Sequence, residues 1–121
     1  MTGYLLVAAT VLFTVFGQLV IKWQVTAAGP LPAAFADKLQ FLAQLLINPW
    51  IIAGLLSAFA ASLTWMLALS KLPLTVAYPF TAFSFVIVVL GGGYLFSEPV
   101  GLAKIAGLCL IVLGITLTSL K

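Results

Sequence analysis

Residues 72–99 read LPLTVAYPFTAFSFVIVVLGGGYLFSEP. The segment is apolar almost throughout and long enough to cross a bilayer. It nevertheless holds Tyr78, Pro79, Thr81 and Ser84 in its first half and Gly91, Gly92 and Gly93 near its end. A span that faces lipid on every side has no use for these residues. Proline and glycine weaken a helix, and they persist in membranes where neighbouring helices or a water-filled cavity satisfy the freed backbone groups. The segment is therefore expected to be a membrane helix with protein or a cavity on one side. Pro79 removes the usual donor from the carbonyl around Thr75. That carbonyl and the Tyr78 hydroxyl either line a polar cavity or are absorbed in a packed kink. The three glycines serve either close helix contact or a hinge.

The rest of the chain has the same character. Of 121 residues, 64% are hydrophobic and 6% charged, whereas soluble domains carry about 25% charged residues. Such a chain cannot cover a surface that faces water. At roughly 20 residues per span, four spans and one long linker use up its length. The expected fold is all-α: a single four-helix transmembrane domain over residues 1–121, with spans near 4–23, 50–69, 75–96 and 102–120. A short amphipathic helix near 33–47 is expected to lie in the membrane interface between the first two spans. Val25, Thr26 and Ala27 imitate a signal cleavage site, but residues 1–10 carry no basic side chain. The apolar run also exceeds the roughly 7–15 residues of a signal core, so the first span is expected to be retained.

Charge and reactive residues exclude several classes. The five cationic residues are all lysines, scattered as Lys22, Lys38, Lys71, Lys104 and Lys121, and they form no basic patch for nucleic acid. There is no histidine, and the single Cys109 lies within a span, so neither a disulfide framework nor a cysteine-rich metal site is expected. No cofactor is implied. No nucleophile–base pair or phosphate loop is visible, so the chain is not expected to be an enzyme.

Along the first span, Thr10, Thr14, Gln18 and Lys22 recur every fourth residue and form one drifting stripe on a helix. The threonine hydroxyls can bond their own backbone. The Gln18 amide is costly to leave facing lipid. Lys22 either snorkels to the interface or turns inward to hold an anion. In the linker, Phe35, Leu39, Leu42, Leu45 and Leu46 share a broad apolar face. Asn48-Pro49 opens the second span, and Trp50 anchors it at the interface. Gly54, Ser57, Ala58, Ala61 and Ala68 give that span a face of small residues, with Trp65 nearby as packing or as the wall of a cavity. In the third span, Tyr78, Thr81, Ala82, Phe85, Val88 and Gly92 are expected on one face. Glu98 is expected at the interface, where it can cap the fourth span. Gly107 and Gly114, seven residues apart, with Leu108 and Ile111 between them, suggest close helix pairing within or between chains.

Several of these residues carry a family resemblance. Gly17-Gln18-Leu19 followed by Lys22, and Val76-Ala77-Tyr78-Pro79 followed by Phe85 and then Glu98-Pro99-Val100, resemble the aminoarabinose-phosphoundecaprenol flippase subunits. These are four-helix relatives of the small multidrug resistance proteins in the drug/metabolite transporter superfamily. Residues 107–114, GLCLIVLG, resemble the last-helix dimerisation motif of small multidrug exporters. The resemblance implies a multi-pass protein of the bacterial inner membrane that works as a homodimer or as a heterodimer with a related four-helix subunit. Small multidrug exporters carry a proton-exchanging glutamate three residues before the glycine of the first helix. Here that position is Thr14.

A buried acid suits a cation, because a charge at the bilayer centre needs a partner. This chain offers the donors Thr14, Gln18, Lys22 and Tyr78 instead, with Trp65, Thr81 and Phe85 as candidate walls. Donors suit a phosphate or a hydroxylated headgroup, and Lys22 supplies a point charge. The donors agree with the lipid-sugar branch that the resemblance implies, and the expected function is the movement of a polyprenyl-phosphate-linked sugar, or a similar anionic amphipathic lipid, between leaflets. Pro79, Gly91, Gly92, Gly93 and Glu98 shape or hinge the third span. A small multidrug-type exporter of hydrophobic compounds, and a non-transporting accessory subunit of a membrane glycosyltransferase, are the alternatives. Lys71 and Lys121 on one membrane face against Lys22, Lys38 and Lys104 on the other set no orientation.

Overall fold

The computed structural model describes residues 1–120. Six helical segments follow one another: α1 (Thr2–Ala28), α2 (Phe35–Leu46), α3 (Pro49–Leu69), α4 (Leu74–Thr81), α5 (Phe83–Leu95) and α6 (Leu102–Ser119). Segments α4 and α5 continue each other as one span, Leu74–Leu95, so four helices are long and apolar enough to cross a membrane.

The α1–α3 pair is the framework. Its two helices meet at glycines: a Cβ on Gly17 would stand 2.9 Å from the Gly54 carbonyl oxygen, and one on Gly54 would stand 3.3 Å from the Gly17 oxygen. Small residues allow this approach, and polar side chains fasten it. The Ser57 hydroxyl donates to the Phe13 carbonyl at 2.7 Å, and the buried Thr10 hydroxyl lies 2.7 Å from that of Thr64. Thr10 also reaches its own backbone at Leu6, 2.9 Å away. At the Tyr4 end of this pair, Val7, Ala68 and Ala77 form a small core, with Leu6, Trp65, Leu72 and Phe80 against it.

Helix α1 is longer than a bilayer requires. Its 27 residues run on past Trp23 and stop at Gly29, whose φ of 95° only glycine adopts readily. The extension is tied to the start of α3. Asn48 accepts from the Trp50 N–H at 2.8 Å as N-cap and donates to Gln24 Oε1 at 3.0 Å, while Trp23 and Trp50 meet edge to face. Asn48→Ala should cost about 1–2 kcal/mol, the usual value of an N-cap. Asn48→Asp keeps the cap but loses the bond to Gln24, so its unfolding midpoint in detergent should fall between those of the parent and Asn48→Ala.

The third span breaks at Ala82, three residues after Pro79, where the Ala82 N–H reaches the Pro79 carbonyl at 3.1 Å. Farther along, the glycines are places of close approach. The chain leaves α5, turns through Ser97 at φ 54°, and folds back over the helix it has just left. A Cβ on Gly93 would stand 2.5 Å from Val100 Cγ2, and one on Gly92 would stand 3.8 Å from Glu98 Oε1. Lys104 Nζ donates to the Pro99 carbonyl at 3.2 Å and pins this return loop.

Helix α6 touches α4 and α5 alone among the described helices, and α2 touches only α1 and α3. On α2, Phe35, Leu39, Leu42 and Leu46 are exposed, so its apolar face is left uncovered by the rest of the chain.

Candidate functional site

Of the clefts that open beside α1, two are lined by polar side chains from several helices, and they share one residue, Gln18. The inner cleft, of about 250 Å³, lies between α1, α3 and the start of the third span. Thr10, Thr14 and Gln18 enter it from α1, Ser62 and Trp65 from α3, and Tyr78 and Thr81 from α4. Trp65 and Tyr78 stand edge to face with ring centroids 6.0 Å apart, making one wall. The Thr81 hydroxyl donates to the Tyr78 carbonyl at 2.6 Å and is spent on the backbone next to Pro79. The residues lining this cleft include no carboxylate and no ammonium.

The outer cleft, of about 330 Å³, is a charged one. Lys22 and Gln18 of α1 face Glu98 of the return loop and Lys104 of α6, across a floor that includes Gly92 and Gly93. Depth separates the two clefts. At 1.5 Å per residue Lys22 lies roughly 30 Å along α1 from Thr2, which is about one hydrocarbon thickness. The outer cleft is therefore nearer the Ala28 end of α1, and the inner cleft nearer its middle. Gln18 lines both.

Comparison with known proteins covers most of the chain. It is 35% identical over 117 residues to the probable 4-amino-4-deoxy-L-arabinose-phosphoundecaprenol flippase subunit ArnE of Pseudomonas aeruginosa, covering 93% of this chain and 92% of that protein. The corresponding protein of Pectobacterium atrosepticum is 38% identical over 115 residues, 95% of this chain and 96% of its own length. The chain belongs to the ArnE family of flippase subunits. No family model matches it, and no solved structure matches it. ArnE proteins are small multidrug resistance-like, and the four apolar helices make this one a multi-pass membrane protein.

Of the residues nominated in this ArnE-family sequence, Thr14, Gln18, Trp65, Tyr78 and Thr81 meet in the inner cleft. Lys22 does not join them. Each four-residue step along α1 drifts by about 40°, so Lys22 has turned roughly 80° from Thr14 and lines the outer cleft instead. Phe85 lines neither cleft and is exposed. The helix break at Ala82 ends the register that would have tied it to Tyr78 and Thr81. Glu98 does not cap α6, whose N-cap is Gly101 and has no side-chain bond. The return turn at Ser97 carries its carboxylate back to α5.

On α6, Gly107 and Gly114 have open space where a Cβ would be, and Ile111 is partly covered. Leu108 is buried inside the chain with Ile115. A signal for this was available: one residue is 100° of helix, so Leu108 cannot share the face of Gly107. Lys104 and Ser62 join the clefts as well. No local spacing marks Lys104, because its place in the cleft depends on the loop folding back.

Proposed function

We propose that this protein moves a polyprenyl-phosphate-linked sugar, or a similar anionic amphipathic lipid, between the leaflets of a bacterial inner membrane. The observation that carries the reading is that Gln18 lines both clefts, one bearing two ammonium groups and the other uncharged and hydrogen-bonding. Lys22 meets the phosphate at the membrane boundary as a point charge. Gln18, Thr14 and the Tyr78 hydroxyl then exchange hydrogen bonds with the phosphate and sugar oxygens inside, against the Trp65–Tyr78 wall, while Thr81 holds the backbone beside Pro79. The polyprenyl chain stays in the lipid, next to apolar helix faces. Membership in a family whose members are named as flippase subunits for an undecaprenol-linked sugar supports the same class of cargo. An acid-free interior argues against the small multidrug type of proton exchange, which needs a carboxylate at the position held by Thr14.

The whole chain acts as one four-helix unit, with α2 lying in the interface on its exposed leucines. A second four-helix subunit, identical or related, seats against the open glycines of α6 at Gly107 and Gly114, with Ile111 between them. Transport, not chemistry, is the task assigned to it. The word subunit in the relatives' names keeps one competing reading alive, a non-transporting partner of a membrane enzyme.

Reconstitution separates these. Vesicles holding the protein, alone or with whatever subunit copurifies, should bring a labelled polyprenyl-phosphate sugar to the opposite leaflet faster than protein-free vesicles. Transport of a lipophilic cation with no movement of the phosphorylated isoprenoid would refute the reading. Copurification with a glycosyltransferase and no transport in either arrangement would favour the accessory role.

A further inference from the structure

A further cleft, of about 350 Å³, lies between α1 and the end of the third span. Leu19, Val20 and Trp23 line it from α1, and Leu95 and Phe96 from the exit of α5. The Trp23 indole nitrogen is the only polar side-chain atom among these five residues. Leu19 and Phe96 also line the outer cleft, where Lys22 and Lys104 stand. On α1 the reason is angular. At 100° per residue, Leu19 lies about 60° around the helix from Lys22 and about 40° the other way from Trp23, so it falls between the charged side and the apolar side. Both shared residues rest on the glycine run. Leu19 Cδ1 lies 3.7 Å from the Cβ position of Gly91, and Phe96 Cδ2 lies 3.9 Å from that of Gly92. The Phe96 N–H donates to the Gly92 carbonyl at 2.9 Å and closes α5 there. Trp23 is held by its edge-to-face contact with Trp50.

An anionic lipid whose phosphate meets the lysines of the outer cleft must send its chain past one of that cleft's shared residues. Gln18 is shared with the inner cleft, and a chain there would strand the hydrogen-bonding groups of Gln18, Thr14 and Ser62. Leu19 and Phe96 are shared with the apolar cleft, which has one indole N–H to strand and no charge. We propose, building on the lipid-sugar reading, that the apolar cleft seats the first stretch of the transported lipid's own hydrocarbon chain, with Leu19 and Phe96 dividing headgroup from chain. Leaving the bilayer brings a chain no hydrophobic gain, because lipid tails are as apolar as leucine. The cleft supplies packing against ordered walls instead. The phosphate held next to it supplies the second term, a high effective concentration of this one chain. Chains of surrounding lipids lack that tether.

The test uses the full-length protein in nanodiscs, with its copurifying subunit if there is one. The probe is a synthetic prenyl-phosphate glucose with a diazirine on the isoprene unit next to the phosphate. A phosphatidylglycerol with a diazirine on one acyl chain is the comparison. After irradiation, adducts are mapped by peptide mass spectrometry. The prenyl probe should mark residues 19–23 and 95–96 about tenfold above the phospholipid at equal concentration. Val20→Trp and Leu95→Trp fill the cleft from opposite walls, and neither residue lines the outer cleft. Each should lower the adduct about tenfold, while retention of methyl-phosphate glucose, which has no chain, stays within about twofold of the parent. Leu56→Trp, exposed on α3 and outside these clefts, should change neither. Three results would each overturn the chain cleft: equal labelling by the phospholipid, adducts scattered over all four spans, or tryptophan variants that lose methyl-phosphate glucose as fully as the prenyl probe. The flippase reading would survive any of them if the probe still crossed the bilayer. A probe neither retained nor carried across overturns both.

Discussion

In vesicles supplied with a polyprenyl-phosphate sugar, Gln18→Ala is expected to slow translocation roughly 10- to 100-fold. The estimate follows from one hydrogen bond to a charged group, about 1.5–3 kcal/mol, at 1.4 kcal/mol per tenfold in rate. Gln18 is the residue common to both clefts, so a headgroup passing inward from Lys22 meets its amide on the way. Lys22→Ala should cause a loss of the same order, with Lys22→Arg recovering much of it because the charge is kept. Phe85→Leu is the control. Phe85 lines neither cleft, so its replacement should leave the rate within about twofold of the parent, the scale of a surface substitution. Equal rates for the parent, Gln18→Ala and Lys22→Ala would remove the pathway. A loss in Phe85→Leu as large as in Gln18→Ala would mean that the third span presents a different face to the cargo.

The second large effect is on stability. Gly17→Ala should lower the stability of the folded helices by about 1–3 kcal/mol, the range for overpacking a close contact, read as an unfolding midpoint in mild detergent. The added methyl would meet the Gly54 carbonyl at 2.9 Å, and a helix backbone cannot rotate aside. α1 and α3 would have to separate, which strains the Ser57–Phe13 and Thr10–Thr64 bonds and moves Gln18. Gly54→Ala should cost less, since its nearest neighbour is the Ile21 side chain at 3.0 Å, which has rotamers to use. Gly107→Ala meets nothing within 4 Å in the chain, so the protomer should tolerate it and gain up to about 1 kcal/mol of helix propensity. Should Gly17→Ala and Gly107→Ala unfold together, the glycine crossing would not be what holds α1 to α3.

Much of this protein is readable before any coordinates. An apolar chain with so few charges has one solvent available to it, and the spacing of its polar breaks divides it into four membrane helices. The side of α1 that carries Thr10, Thr14 and Gln18 is legible as well, because a helix repeats nearly every four residues and an amide does not face lipid cheaply. The cap at Asn48 is local chemistry, and so is the proline break in the third span. Even the separation of Leu108 from the Gly107 face was available to strict helical arithmetic.

Other features depend on segments far apart in the chain. The three glycines read equally well as a hinge or as a contact until the loop after Ser97 is seen lying on two of them. Lys22 has two possible fates on a lone helix, and it gains Glu98 and Lys104 as neighbours only when α6 and the return loop close the cleft. Periodicity describes one helix at a time, because the backbone repeat is set within the helix. Which charges meet across a cleft is set by how loops return and how closely helices cross, and those distances exist only once the segments are assembled.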